Sequence, residues 1–419
     1  MPESTPVRSP EVPVPEPDLT PQEIIGRARA LIPAIRDQQD EAEKLGHHTE
    51  ALDREFVRAG FYRMLQPRMF GGYEFDLPTF WKAMLAIATG DPGTGWGLTL
   101  GSHHALVAGA HFPVEGQREI FGQDGEFRCS HRAPPGTAEP VEGGYMISGT
   151  WDYSSGSPHS THVMLNVMVE RDPAADSGSS SGPESLAVVL PRDQVTVLDD
   201  WGDGVTLGMN SSGSNSVRVD RVFVPTRRTS PWNWTRLTEP APGVAIHGNA
   251  LYCGRIYAVY HVGLVMPVIG AARAALEEYE QIITTKKTYF PPQIPRYTHP
   301  DYQRTYGYAL ALTDAAEALV LHVGERYMEL SKRWVEGGQP FTREDDVRLY
   351  AMVQQAGQFA IKAVEEIFAA AGSSAAKRGQ RLQRYYRDVA MYRGHIAAQY
   401  LTTAGELARV HFGLPDSLF

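Results

Sequence analysis

Between about residue 125 and residue 235 the chain reads as strand, and on either side of that block it reads as helix. The segments Tyr145–Trp151, Val163–Val169, Leu186–Leu190, Val195–Leu198 and Ser216–Val224 are short and rich in β-branched residues. Gly, Pro, Asp and Ser separate them, so each is read as one strand bounded by turns. A chain that changes its hydrophobic period twice cannot bury itself as one helical layer or one sheet. The middle block is therefore expected to be a small β-barrel or sandwich held between two helical units. Its Ser/Gly-rich spacer Asp172–Glu184 reads as a flexible hairpin loop.

The flanking units are distinguished by their start and stop signals. Thr20 can cap a helix with Pro21 at its first position and Glu23 at its third. Further helical runs cover Ala51–Gly60, Pro78–Thr89 and Thr94–Ala110, broken by Pro67, Gly71-Gly72 and Asp91-Pro92-Gly93. From about Tyr252 the pattern is helical again to about Val410. There Val347, Tyr350, Val353, Ala356, Ala360, Val364, Ile367 and Ala371 form one apolar face, and the long helices with few connectors suggest a bundle. Residues 1–20, punctuated by six prolines, read as a mobile arm. The expected division is an arm (1–20), a helical domain (21–124), a β-domain (125–235) and a C-terminal bundle (240–419).

Charge and composition exclude several classes. A net charge of −10 argues against a nucleic-acid binder. No apolar run approaches the roughly 18 residues that a membrane helix needs, and no secretory leader is visible. Cys129 and Cys253 stand alone, without the spacing of a zinc site or a disulfide framework, so a reducing cytoplasm is expected. His104 and His111 share a helical face, but no carboxylate at ligand spacing accompanies them, and no metal is expected. The chain shows no GxSxG elbow, no phosphate loop, no HExxH and no strand–GxGxxG–helix fingerprint for a nicotinamide cofactor.

Two stretches carry the chemistry. From Gly143 to His159 the chain reads G-G-Y-M-I-S-G-T-W-D-Y-S-S-G-S-P-H, a strand running into a Ser-Ser-Gly turn whose N–H groups and hydroxyls can face the edge of a planar heterocycle. A hairpin turn in which Ser154 and Ser155 satisfy their own backbone is the plain alternative. Near the C-terminus Arg387-Asp388 is followed by His395, in what reads as one helix from about Arg384 to Val410 with Val389, Ile396, Tyr400, Leu407 and Val410 on its apolar face. His395 as a packed helix histidine is the alternative there.

These segments resemble the flavin-dependent monooxygenases built on the acyl-CoA dehydrogenase fold, the two-component group that includes the 4-hydroxyphenylacetate and phenol hydroxylase oxygenase components. Pro134-Pro135-Gly136-Thr137-Ala138 looks like the family's P-x-G-x-A approach to the strand. Gly208–Val217 followed by Val222-Phe223-Val224-Pro225 looks like its G-L-R-G-T-G-S…V-F-V-P segment, with Asn210 in place of the arginine. Tyr153, Ser160 and His162 also depart from the pattern. The dehydrogenases of this fold carry a glutamate about ten residues beyond the R-D pair, or just before the arginine that opens the bundle. Here Arg381 to Gly405 contains no glutamate, and Gly254 precedes Arg255.

The resemblance implies an oxygenase component that takes reduced FMN or FAD from a separate reductase, forms a C4a-hydroperoxyflavin with O2, and oxidises a small aromatic or heteroaromatic substrate. The dehydrogenase is the runner-up, and the atom oxidised (carbon, nitrogen or sulfur) stays open. Implied catalytic residues are His395, Ser154 or Ser155, and His104. Implied flavin contacts are Trp151, Ser154, Ser155, Gly156, Ser212, Ser214, Arg387 and Asp388, and implied substrate contacts are His103, His104 and His159. The R-x-x-F-G element that holds the FAD pyrophosphate in dehydrogenases is lost after Lys286-Lys287, which leaves FMN and FAD both open. The related folds pair their bundles across subunits, so a homotetramer is expected.

Overall fold

The computed structural model describes residues 10–170 and 184–415; the spacer read as a hairpin loop lies outside them except for Glu184. Thirteen α-helices are among the described elements. Seven precede the sheet: α1 (Pro21–Ala30), α2 (Ile32–Asp37), α3 (Gln39–Leu45), α4 (Glu50–Ala59), α5 (Leu77–Gly90), α6 (Pro92–His111) and α7 (Val114–Phe121). Six follow it: α8 (Gly243–His247), α9 (Tyr257–Thr285), α10 (Pro300–Gly337), α11 (Arg343–Ala371), α12 (Arg381–Tyr392) and α13 (Tyr400–His411). The Thr20–Glu23 capping box forms, with each side chain bonded to the other residue's backbone N–H.

Seven strands form one sheet: β1 (Cys129–Val141), β2 (Gly144–Trp151), β3 (His162–Val169), β4 (Ser185–Pro191), β5 (Thr196–Val197), β6 (Val217–Pro225) and β7 (Thr229–Pro231). Their order is β5-β6-β2-β1-β3-β4-β7, with β1 and β3 parallel and every other pair antiparallel. Strand alternation puts Val163, Leu165 and Val167 of β3 and Leu186, Val188 and Leu190 of β4 on one face. That face shares a core with Ile147 and Trp151 of β2 and Val217 and Val219 of β6, so a single curled sheet stands where a barrel or sandwich was expected. The other face, through Met164, Ala187 and Val189, packs on Ala105, Val107 and Ala108 of α6, which docks the sheet on the first helical unit.

Three expectations need correction. The arm is not mobile from Pro10 on: Glu11 and Val12 donate their N–H groups to the Met69 carbonyl at 2.8 and 3.1 Å, and Val12 and Leu19 are buried. Ion pairs of Glu11 with Arg118 and of Glu16 with Arg27, at 2.8 and 2.6 Å, fasten it further. β1 was not read as a strand because it contains Pro134, Pro135 and Pro140, which cannot donate to a ladder; its pairing with β3 breaks between Arg132 and Gly136, where two of them lie. The helix read from Arg384 to Val410 is broken after Tyr392. Gly394 is a poor helix former, and His395 caps the short turn Ile396–Ala398 instead of continuing α12.

Helix α9 is apolar and long enough to meet the length and composition of a membrane span, but 83% of its most apolar window is buried inside the protein. Its partners α5, α6, α10, α11 and α12 enclose it as the core helix of the molecule.

Candidate active site

The turn after β2 is built by close approach. Tyr153 and Gly156 take positive φ (59° and 77°), and the segment 212–215 bonds to it, with N–H of Ser154 to Asn215 O (3.0 Å), of Gly156 to Ser212 O (3.0 Å) and of Ser157 to Gly213 O (3.2 Å). Helix α6 presses on the same place: a Cβ on Gly97 would lie 2.9 Å from the Ser212 carbonyl, so only glycine fits. The neighbouring Trp96 Nε1 therefore reaches Ser155 Oγ and donates to it at 3.0 Å. Ser155 Oγ lies 2.8 Å from Ser214 Oγ, which lies 2.7 Å from Ser212 Oγ. If Ser212 and Ser214 donate along this row, Ser155 accepts from both Trp96 and Ser214, and its own proton is free to point outward. Ser154 Oγ is buried without a partner.

His395 joins the same group from the C-terminal side. Its ring lies 5.5 Å from that of Trp96, edge to face, and parallel to the Tyr392 ring at 6.3 Å. His395 Nδ1 accepts the Ala397 N–H at 3.0 Å, which leaves the proton of the neutral imidazole on Nε2. Tyr392 OH pins the loop by donating to the Ala397 carbonyl at 2.9 Å. Burial, then the nearby His261 and Arg132, lower the His395 pKa to about 4. At neutral pH His395 is an uncharged hydrogen-bond donor.

On the other side of the group stand three histidines and a tyrosine. His104 Nδ1 donates to the Cys129 carbonyl, so its Nε2 is an acceptor, 3.1 Å from Tyr260 OH. Tyr260 OH also bonds His131 Nδ1, and His131 stacks on Trp232 at 5.4 Å. The phenol has one proton for two imidazoles, so protons along His131–Tyr260–His104 must be ordered in one direction. Burial lowers the His104 pKa to about 4 and pushes that of His131 well below its ordinary value. His103, stacked on Phe80 at 6.3 Å, has both ring nitrogens buried without partners. The structure thus separates the two adjacent histidines: His104 belongs to a proton chain and His103 does not.

Several expected site residues do other work. The Trp151 side chain lies in the core of the curled sheet, over Gly136 and Gly149, and donates to the Asn166 carbonyl at 3.2 Å; strand alternation turns it away from the serine turn. Arg387 and Asp388 act on protein. Arg387 donates to Leu207 O (3.0 Å) and pairs with Glu43 (2.6 Å), while Asp388 Oδ1 accepts the Met209 N–H at 2.6 Å. A Cβ on Gly208 would lie 2.3 Å from Arg387 O, so the pair fastens the loop that leads to Ser212 and Ser214. Burial, followed by the neighbouring Asp91, raises the Asp388 pKa to about 7.

His159 is also placed elsewhere. It stacks on His48 at 4.1 Å and meets His47 edge-on at 4.9 Å, beyond the turn. His48, Asp53 and His159 bring ligand atoms within 4.8 Å of one another. Asp53, however, already pairs with Arg128 (2.8 Å) and accepts from Tyr62 OH (2.7 Å), so a cation there would have to compete with a guanidinium.

Neither position where a dehydrogenase base would stand holds one. A Cβ on Gly254 would lie 2.3 Å from Ala241 Cβ, the stretch from Arg381 to Gly405 contains no glutamate, and Glu406, the first one beyond it, is paired with Arg343 at 3.0 Å. The residues that are present fit a reduced flavin: Ser155 offers a proton, His395 offers Nε2–H, and the buried hydroxyls of Ser130 and Ser154 lack partners within the protein.

Trp96, Tyr260 and His131 were missed by sequence reasoning. Only Trp96 left a signal, lying between Gly95 and Gly97 inside a helix, where flanking glycines mark a close approach.

The family model for the acyl-CoA dehydrogenase C-terminal domain matches residues 262–400. The oxygenase subunit HsaA of a flavin-dependent monooxygenase from Rhodococcus jostii is 29% identical, covering 93% of this chain and 98% of its own. A pigment production hydroxylase from Rhodococcus sp. is 27% identical over 96% of this chain and 99% of its own. The crystal structure of 3-HSA hydroxylase from Rhodococcus sp. RHA1 superposes with a TM-score of 0.83 at 26% identity, covering 94% of this chain and 98% of that one. The chain is a homologue of the oxygenase components of flavin-dependent monooxygenases, and it carries the acyl-CoA dehydrogenase fold.

Proposed function

We propose that this chain is the oxygenase component of a two-component monooxygenase that uses O2 and reduced FMN or FAD, delivered by a separate flavin reductase, to oxidise a small aromatic or heteroaromatic substrate. The observation that carries this reading is the Ser155–Trp96–His395 group, in which a hydroxyl and a neutral imidazole both contact the Trp96 indole, on a chain with no glutamate from Arg381 to Gly405. Bound reduced flavin supplies the electrons that activate O2. Ser155, oriented by the Trp96 N–H, would offer its hydroxyl proton to the flavin. His395 Nε2–H, oriented by the Ala397 N–H that its Nδ1 accepts, would offer a second donor to the flavin. The buried wall of α6 and α9 excludes water, which keeps these donors effective. The His131–Tyr260–His104 chain, held neutral by burial, would accept a hydrogen bond from the substrate hydroxyl and orient it.

The test is product formed against hydrogen peroxide released per reduced flavin, in the presence of a phenolic substrate. Product from reduced flavin and O2 supports the reading; reduction of the bound flavin by an acyl-CoA contradicts it.

Homotetramer formation is supported by an apolar patch on the last segment, where Ile396, Leu401 and Phe412 are 71%, 82% and 73% exposed. Light scattering at micromolar concentration should give four chains, and a monomer would oppose this. The two buried free cysteines are consistent with a cytoplasmic enzyme, which fractionation of the native host would check.

A further inference from the structure

Two buried carboxylates from distant parts of the chain grip the turn that leads into the serine row. Met209 to Ser212 is one tight turn, closed by the Ser212 N–H donating to the Met209 carbonyl at 3.1 Å. Asp388 of α12 accepts the Met209 N–H at 2.6 Å. Asp91, the cap of α6, accepts the Thr94 N–H at 2.9 Å and also the Ser211 hydroxyl. Met209 takes a positive φ of 54°, a conformation that a long side chain adopts only where its surroundings hold it. The first turn of α6 leaves no slack on the other side, since a Cβ on Gly93 would lie 2.2 Å from Ser211 Oγ. A shift of this turn therefore reaches Ser212 and Ser214, and through them the hydroxyl of Ser155.

The charges around the turn do not balance. Arg384 is engaged by Asp40, Glu43 and Gln39, and Arg387 by Glu43 and the Leu207 carbonyl. On the helices packed against α12, Glu277 and Glu278 of α9 are engaged by Arg36 and Arg381, and Glu365 of α11 by Arg393. Among the described residues neither Asp91 nor Asp388 is in an ion pair, and both are buried. Two arginines thus stand beside four carboxylates, of which only Asp40 is exposed. Asp91 and Asp388 are bound two residues apart on one turn, a span of at most about 7 Å at Cα. Buried carboxylates that close oppose each other's ionisation, and such a pair retains a proton. Burial, followed by Asp91, places that proton on Asp388, whose pKa is raised to about 7. Once it is lost the carboxylates repel, one bonded to Met209 and the other to Ser211, and the turn between them is pulled open.

We propose that Asp388 and Asp91 are positioning residues for the serine row, and that loss of the Asp388 proton opens the Met209–Ser212 turn and uncouples oxygenation. Uncoupled, reduced flavin and O2 end as oxidised flavin and hydrogen peroxide; coupled, they end as oxidised flavin, oxygenated substrate and water. This rests on the monooxygenase reading above and adds a proton-dependent control to it. The site imidazoles do not titrate in the same range, since burial holds His104 and His395 at about 4 and His131 well below its ordinary value.

The experiment has two readouts, both taken from about pH 6 to about pH 8.5, on either side of the Asp388 transition. Infrared difference spectra of the chain as isolated read the carboxyl without flavin. The C=O band of a protonated carboxyl should vanish across this range in the wild type and be missing from the Asp388→Asn difference spectrum. Product against peroxide, with reduced flavin and a phenolic substrate, reads coupling. The wild-type ratio should fall about fivefold or more as pH rises. Asp388→Asn keeps an oxygen for the Met209 N–H and cannot ionise, so its ratio should vary by less than about twofold over the range. Asp388→Ala, which removes the acceptor, should leak peroxide at every pH. If the alanine variant does not fold, the wild-type and asparagine profiles decide. The proposal is overturned if Asp388→Asn follows the wild-type profile in either readout, or if Asp388→Ala couples as well as the wild type. Absence of product from the wild type at every pH would instead remove the monooxygenase reading, and the infrared band would still decide whether Asp388 holds the proton.

Discussion

Two groups of histidines lie on opposite sides of the serine turn, and they differ in one respect: one contains its counter-charge and the other does not. His47, His48 and His159 stack around Asp53, whose carboxylate is shared with Arg128 and Tyr62. Its donors and acceptors are used within the protein. His104, His131 and Tyr260 have no carboxylate among them, and the hydroxyls of Ser130 and Ser154 are buried without a hydrogen-bond partner among the described residues. A closed polar cluster ties elements together, whereas an open one leaves groups for a ligand. Both contain adjacent histidines in the sequence, so the residue types alone do not separate them.

The contrast is broken most severely at its two centres. Asp53→Asn should lower stability by about 3 kcal/mol, since it leaves Arg128 without its partner in a partly buried site, and urea denaturation would measure it. Per folded molecule, oxygenation should be unchanged; a matching loss of turnover would show that the closed cluster is functional. His395→Ala should do the reverse. Product per reduced flavin should fall about tenfold or more, the scale of a lost positioned donor or acid–base group, with peroxide making up the difference. The lost cap should cost only about 1 kcal/mol. His395→Asn keeps a cap and a donor but cannot titrate, so recovery of coupling by Asn would assign a hydrogen-bonding role, and no recovery a proton-transfer role.

Smaller effects sharpen the picture. Trp96→Phe removes the N–H that orients Ser155 while keeping the ring against His395. One such bond is worth about 0.5–1.5 kcal/mol, so peroxide leakage should rise by up to about tenfold; an unchanged ratio of product to peroxide would make the turn purely structural. The pH dependence of stability should follow the histidines. Burial holds the folded pKa of His48, His104 and His395 near 4, below the ordinary 6.5. Between those values the unfolded chain binds the proton and the folded chain does not. Their contribution is therefore complete above pH 6.5 and declines as pH falls toward 4. Asp53, lowered to about 2, keeps its contribution until pH falls below its ordinary 3.8. Melting curves from pH 7.5 to 4.5 should show the decline, and His48→Gln should flatten it by the share of one group.

Much of this was legible before folding was considered. The capping box at Thr20, the helices around Pro78 and His104, and the strand leading to Ser154 all have local causes, and local causes leave local patterns. Three features did not. β1 carries three prolines and pairs only because its ladder is interrupted at Arg132. The break before His395 needs a glycine and a capping imidazole inside an otherwise helical pattern, and periodicity does not register it. His131 and Tyr260 meet from a strand and a distant helix, so their pairing is a property of packing. The same reason moved His159 and Trp151 away from the site: each stands next to the serine turn in sequence, but alternation and stacking point their side chains into other cores.

The central claim is that the Ser155–Trp96–His395 group is made for reduced flavin. Anaerobic titration of the purified chain with reduced and with oxidised FMN and FAD tests it most directly. The account predicts a protein isolated essentially colourless that binds the reduced form of at least one flavin more tightly than the oxidised form. Isolation with stoichiometric yellow FAD that an acyl-CoA reduces directly would contradict it.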